Sequence, residues 1–174
     1  MKNTIKLFSI IALVALIGFS FVSCVQEEEE DGVLSAGTYT TISKLDTAYN
    51  AGDESYVIGA TTVLKGIDSP SFTVDADGVI TALSLGGGGT AFLSWVPASG
   101  TQYRFTLSGG YLNFQVKQGN SFVNWNPHSA SLNTVNYNQS IDGTSRNGVI
   151  QLTLRYQRTD NQGGAWRTYS LKKQ

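Results

Sequence analysis

VIQLTLRYQR, residues 149–158, alternates apolar and polar side chains without a break. Successive side chains of a strand point to opposite faces, so the pattern predicts a strand with one face in the core and one in water. The predicted core face consists of Ile150, Leu152, Leu154 and Tyr156. Residues 111–117, YLNFQVK, repeat the alternation, with Asn113, Gln115 and Lys117 on the wet face. Both stretches are typical of an antiparallel sheet.

Strand-like runs cover much of the remaining chain and are separated by turn residues. The predicted strands are residues 39–43, 56–65, 72–74, 79–85, 90–96, 103–107, 111–117, 122–125, 149–158 and 166–171. About ten short strands at this spacing predict an all-β fold. We expect an antiparallel β-sandwich, because the longer connections at 45–55 and 126–147 suit strands that cross between sheets. The meander from 72 to 125 favours the alternative, an up-and-down, lipocalin-like β-barrel.

Asp77-Gly78 lies between two of these runs and is the strongest hairpin signal. A two-residue type I′ turn needs positive φ at both central positions, and Asp-Gly is a pair that tolerates this conformation. We therefore predict a type I′ hairpin that joins residues 72–74 to residues 79–85.

The N-terminus has the pattern of an export signal. Lys2 and Lys6 precede the largely apolar residues 7–22, and Ser23-Cys24 follows. The apolar stretch has the length of a signal-peptide core and is short for a membrane span, although an uncleaved anchor is the alternative. Ser23-Cys24 resembles the lipobox of bacterial lipoproteins. The resemblance implies cleavage before Cys24 and lipid attachment to its thiol. Cys24 is the only cysteine in the chain.

Residues 27–31 are five consecutive acids, a charge run that stays solvated. This run after the cysteine resembles the surface-export signal of Bacteroidota lipoproteins, which implies display on the outer leaflet of the outer membrane. A plain tether facing the periplasm is the alternative. Asp46-Thr47-Ala48 is similar to the O-glycosylation pattern of the same bacterial group, with Thr47 as the acceptor.

The chain thus divides into a signal peptide (1–23), a lipidated acidic tether (24–33) and a single all-β domain (34–174). The domain carries ten lysines and arginines against eight acids, about +2, without a long basic stripe. We expect a membrane contact through the lipid and no nucleic-acid partner.

Catalytic and metal-binding patterns are lacking in the sequence. His128 is the only histidine, no G-x-S-x-G elbow occurs, and the glycines of residues 86–89 are not followed by the lysine of a phosphate loop. We therefore expect no catalytic residue, no metal and no cofactor.

A segment rich in amides and aromatics, residues 120–138, is the candidate binding region. Amide groups match sugar hydroxyls, and aromatic faces stack on pyranose rings. The candidate ligand-binding residues are Trp125, Asn126, His128, Asn136 and Tyr137. They favour a non-catalytic binding module for carbohydrate. The alternatives are a structural or adhesive lipoprotein that binds another protein, and a barrel that carries a small hydrophobic ligand.

Overall fold

The computed structural model describes residues 31–45, 48–51, 58–86, 92, 101–125, 128–132, 135–161 and 163–174. Within these ranges the chain forms twelve strands and a helix, Ile58–Lys65. The strands are β1 (Gly32–Val33), β2 (Gly37–Lys44), β3 (Ala48–Ala51), β4 (Ser71–Val74), β5 (Ile80–Ser84), β6 (Tyr103–Ser108), β7 (Tyr111–Gln118), β8 (Ser121–Asn124), β9 (His128–Leu132), β10 (Val135–Arg146), β11 (Val149–Arg158) and β12 (Gly163–Lys173).

All the pairings between these strands are antiparallel, and nine of the strands form a sheet with the order β1-β6-β7-β10-β11-β12-β2-β4-β5. The other three extend it, since β3 pairs with β12, β8 with β7 and β9 with β10. The sheet is strongly curled, as a half-barrel. A single backbone bridge between Val79 and Arg104 links the β5 end of the sheet to β6. The prediction of an all-β antiparallel fold is confirmed, and the curled sheet is consistent with a sandwich or a barrel.

The alternation in residues 149–158 gives the face that it predicts. Ile150, Leu152, Leu154 and Tyr156 are each at most 1% exposed. On the neighbouring strands, Ile141 of β10 and the pair Tyr169 and Leu171 of β12 are buried with them. The core therefore lies on the inner side of the curl, and the polar rows of these strands face outward.

The helix corrects the prediction of a strand over residues 56–65. Ala60, Leu64 and Ile67 are fully buried, a spacing of four and three residues that belongs to a helix and its following turn. The Arg167 side chain reaches the carbonyl oxygens at the C-terminal end of the helix, including those of Leu64 at 3.1 Å and Lys65 at 3.0 Å. These contacts override the local β-preference of Thr61, Thr62 and Val63.

The predicted hairpin at Asp77-Gly78 is confirmed as β4–β5, but its turn is not type I′. Only Gly78 has positive φ, at 74°, and the Asp75 carboxylate accepts hydrogen bonds from the backbone N–H groups of Asp77 and Val79. A register shift after Thr73 accommodates this longer turn. Positive φ at two successive central positions occurs instead at Gly109-Gly110, between β6 and β7, and at Asn147-Gly148, between β10 and β11.

Two connections are more ordered than the sequence indicates. The predicted connection 126–147 contains all of β9 and β10, and the predicted connection 45–55 contains β3. The connection 126–147 is rich in Ser and Asn, and the connection 45–55 contains Asn50 and Gly52, so neither shows the apolar alternation from which a strand is predicted.

The N-terminal boundary of the fold also differs from the prediction. Gly32–Val33, assigned above to the tether, pairs with β6. The Asp31 carboxylate accepts a hydrogen bond of 2.6 Å from the Gly109 N–H, and the Leu34 N–H donates to the Phe105 carbonyl. The chain is therefore fixed to the sheet from Asp31 onward.

The sheet divides at the end opposite Asp31. β7 pairs with β10 only over residues 111–113, whereas its residues 115–118 pair with β8. Residues 135–139 of β10 pair with β9 instead. We call this divided end the distal end and the end at the Gly109-Gly110 turn the proximal end.

Candidate functional site

An outward-facing group of side chains on β6, β7 and β8 is the candidate site, and we call it the distal patch. Its members are Arg104, Gln115, Lys117, Phe122 and Asn124. The antiparallel register sets Arg104 opposite Gln115, Gln115 opposite Asn124, and Lys117 opposite Phe122. Cross-strand partners point to the same face, so the register brings these five side chains together.

Hydrogen bonds join Arg104, Gln115 and Asn124 into one chain. The Arg104 Nε donates to Gln115 Oε1 at 2.7 Å, and Gln115 Nε2 donates to Asn124 Oδ1 at 2.7 Å. Lys117 Nζ donates to Gln102 Oε1 at 2.6 Å. The guanidinium carbon of Arg104 lies 4.4 Å from the centre of the Phe122 ring, and Lys117 Nζ lies 6.0 Å from it. Such cation–π contacts at exposed sites contribute about 0.5–1 kcal/mol each.

The arginine fixes the orientation of both amides. A guanidinium can only donate, so the Gln115 oxygen must face Arg104 and its NH₂ must face Asn124. The Asn124 oxygen is then the acceptor, and its NH₂ group is left to point elsewhere. Among the described residues, neither the Asn124 Nδ2 nor the terminal nitrogens of Arg104 have a hydrogen-bond partner. The patch therefore offers donors to the solvent.

The two cations of the patch are not neutralised by the carboxylates of the described residues. The ion pairs there are Lys44–Asp68, Arg155–Asp142 and Arg158–Asp160. Asp142 pairs across the strands with Asn113, two residues from Gln115, but its carboxylate faces Arg155 at 3.8 Å. Arg104 and Lys117 thus leave the patch positive.

Trp125 directly follows Asn124 and packs towards the core. Its backbone N–H donates to the Phe114 carbonyl at 2.9 Å, and its ring lies 6.4 Å from the rings of both Tyr103 and Phe114. The side chain is half-buried. Trp125 therefore supports the distal patch from beneath and presents only part of its surface.

The other predicted site residues are distributed between core and surface. Tyr137 is only 1% exposed, its ring packs edge-on against Tyr156 at 5.8 Å, and burial raises the pKa of its hydroxyl. Its ring therefore belongs to the core and not to an open ligand surface. Asn136 is exposed on β10, beyond the point where the sheet divides. His128 begins β9 and pairs with Gln139.

Asn126, Thr47 and Cys24 lie outside the described residues.

Sequence reasoning placed Gln115 and Lys117 on a wet face but missed Arg104 and Phe122 as site residues. The signal was present in part, since Arg104 and Phe122 each lie within a predicted strand. Their meeting depends on the register of two hairpins, which neither strand encodes alone.

A second polar group lies inside the fold. Gln139 is 1% exposed and Tyr156 is fully buried, and the two are direct partners across β10 and β11. Gln139 Oε1 and the Tyr156 hydroxyl have no hydrogen-bond partner in the described part of the chain. Burial raises the pKa of Tyr156 to about 12, and the nearby Gln139 amide offsets part of the rise. The two groups are thus buried neighbours across β10 and β11.

No family model, curated protein or solved structure matches this chain. In the described ranges, no three histidine, cysteine or acidic side chains are grouped as a metal site would require. None of the helical residues described forms a segment with the length and apolar character needed to cross a bilayer.

Proposed function

We propose that this chain is a lipid-anchored protein on the surface of a bacterial outer membrane, and that its β-domain is a non-catalytic module that binds carbohydrate through the distal patch. The observation that carries the binding proposal is the joined row Arg104–Gln115–Asn124 beside the Phe122 ring. Oriented amide and guanidinium donors match hydroxyl oxygens of a sugar, and an aromatic ring offers an apolar surface to a pyranose.

The position of the patch suits a protein held by its N-terminus. Asp31 is bonded to Gly109 at the proximal end, so a lipid tether would leave the domain there. β7 runs from Tyr111 at that end to Lys117 in the patch, about 20 Å at roughly 3.3 Å per residue. A proximal anchor would therefore hold the distal patch away from the membrane.

Glycan binding by the full-length lipidated protein tests the binding proposal. Phe122→Ala should weaken binding by about tenfold, equivalent to roughly 1.4 kcal/mol. Val123→Ala is the matched control, because Val123 is the next residue of β8, points to the other face and is 37% exposed. Equal affinities of the two variants, or no glycan bound by the parent protein, would refute the proposal.

Lipid labelling and cell fractionation test the anchor. Cys24→Ala should abolish incorporation of labelled palmitate and release the protein from the membrane fraction. Replacement of Glu27–Glu30 by alanine should keep the lipid but protect the protein from protease added to whole cells. Unchanged labelling in the first variant contradicts lipidation at Cys24, and unchanged protease sensitivity in the second contradicts the surface-export signal.

A further inference from the structure

We infer, on the basis of the proposed carbohydrate function, that the ligand of the distal patch is an acidic glycan whose carboxylate or sulfate groups face Arg104, Lys117 and Asn124. The class of ligand depends on which hydrogen-bonding groups of the patch are already engaged and which remain open.

Each amide oxygen of the patch, and that of the adjacent Gln102, already accepts one hydrogen bond from a patch side chain. Gln115 Oε1 accepts from Arg104, Asn124 Oδ1 accepts from Gln115, and Gln102 Oε1 accepts from Lys117. A neutral sugar hydroxyl both donates and accepts, so a site for neutral sugars alone needs free acceptors as well as donors. Here one of the two lone pairs on each amide oxygen is already engaged by a neighbouring cation or amide, whereas the donors of Arg104, Lys117 and Asn124 are not all engaged.

The remaining donors have the geometry for an anion. With its Nε engaged by Gln115, Arg104 still has two terminal nitrogens, which present parallel N–H groups to a carboxylate or sulfate. Lys117 adds a second positive charge on the same face, and the Phe122 ring holds both side chains near it. Charge-assisted hydrogen bonds are roughly twice as strong as neutral ones.

The carboxylates of Asp75 and Asp142, on neighbouring elements of the described structure, do not cancel this charge. Asp75 is turned to the backbone N–H groups of its own turn, and Asp142 faces Arg155. Neither carboxylate forms an ion pair with Arg104 or Lys117 in the described part of the molecule. An acidic glycan would supply anionic oxygens that the described carboxylates do not place beside Arg104 and Lys117.

Matched polysaccharides test the inference with the full-length protein in detergent. The probes are polygalacturonate and its carboxyl-reduced form, and dextran sulfate and dextran. Each acidic polymer should bind at least about tenfold more tightly than its neutral counterpart at low salt, with affinity falling as salt increases. Preference within only one pair would identify the anionic group as carboxylate or as sulfate.

Two arginine variants separate a defined site from general charge attraction. Arg104→Gln should remove most of the preference for the acidic polymers. Arg146→Gln, which removes an exposed charge at the proximal end of β10, should preserve it. Gln115→Glu should also reduce the preference, because the new carboxylate would neutralise Arg104.

Equal binding of acidic and neutral polymers would overturn the inference but leave the carbohydrate function standing. Equal losses in Arg104→Gln and Arg146→Gln would overturn it as well, since attraction would then be diffuse. No binding to any polysaccharide would refute both the inference and the proposed function.

Discussion

Tyr156 and Tyr169 are two tyrosines with equally buried side chains, yet their hydroxyl groups differ in hydrogen bonding. Both are fully buried, and burial raises the pKa of each to about 12. The Tyr169 hydroxyl donates to the Ile67 carbonyl at 2.7 Å. The Tyr156 hydroxyl has no partner in the described residues. A satisfied buried hydroxyl stabilises a fold modestly, whereas an unsatisfied one costs desolvation energy.

The two tyrosines should therefore respond oppositely to loss of the hydroxyl. Tyr169→Phe should lower the free energy of unfolding by about 1–2 kcal/mol, because it removes a buried hydrogen bond. Tyr156→Phe should leave it unchanged within about 0.5 kcal/mol or raise it. Urea denaturation of both variants measures the difference. A loss in Tyr156→Phe as large as that in Tyr169→Phe would show that the Tyr156 hydroxyl is satisfied in solution.

The raised pKa values of the same tyrosines predict a loss of stability in alkali. Both groups are held neutral in the folded state, while an unfolded tyrosine ionises near pH 10. Their contribution is present in full below pH 10 and falls as the pH rises through about 12. The free energy of unfolding should therefore decrease over this interval, and the double variant Tyr156→Phe, Tyr169→Phe should show a shallower decrease. An equal slope in the double variant would contradict this assignment.

At the scale of elements, Arg167 joins the helix to β12. Its Nη1 donates to the carbonyl oxygens of Leu64, Lys65 and Ile67, and its Nε donates to that of Leu45. Carbonyl groups at the end of a helix lack partners within the helix, and a cation there also interacts favourably with the helix dipole. One buried guanidinium therefore both ends the helix and fixes it to the sheet.

Arg167→Lys should destabilise the protein by about 2 kcal/mol. A single ammonium group lacks the planar fork of the guanidinium and cannot reach the same set of carbonyls. Arg155→Lys is the matched control. Arg155 and its partner Asp142 are each more than 40% exposed, and their ion pair at 3.8 Å should contribute less than about 1 kcal/mol. Thermal unfolding compares the two. Equal shifts in melting temperature would mean that the Arg167 contacts do not secure the helix.

The helix and the distal patch show where sequence reasoning succeeds and where it stops. The core row of β11 was predictable because alternation is a local property of one strand. The helix was not predictable, because it is stabilised by Arg167, about one hundred residues later in the chain. In the patch, the outward position of Gln115 was predictable, but its contact with Arg104 depends on how β6 pairs with β7. Local pattern gives the face of a residue, and tertiary pairing gives its neighbours.

At the scale of the whole molecule, β1 covers part of the line where the curled sheet meets itself. It pairs with β6, and Val33 lies against the β4–β5 turn, where a Cβ added at Gly78 would come 2.5 Å from the Val33 Cβ. The adjacent Val79–Arg104 bridge joins the same two edges. The segment that follows the predicted tether is therefore part of what holds the two ends of the sheet together.

Gly78→Ala should destabilise the protein more than Gly119→Ala. The difference between the two losses of unfolding free energy should measure how closely β1 packs against the β4–β5 turn. Gly119 has φ of 60° and Gly78 has φ of 74°, so both substitutions carry a backbone cost of about 1 kcal/mol. An added Cβ at Gly119 meets no atom within 4 Å, whereas the one at Gly78 meets Val33. In a Val33→Gly background the excess cost of Gly78→Ala should disappear, as a double-mutant cycle in urea would show. An excess that persists in that background would place the strain elsewhere and would mean that β1 does not pack on the β4–β5 turn in solution.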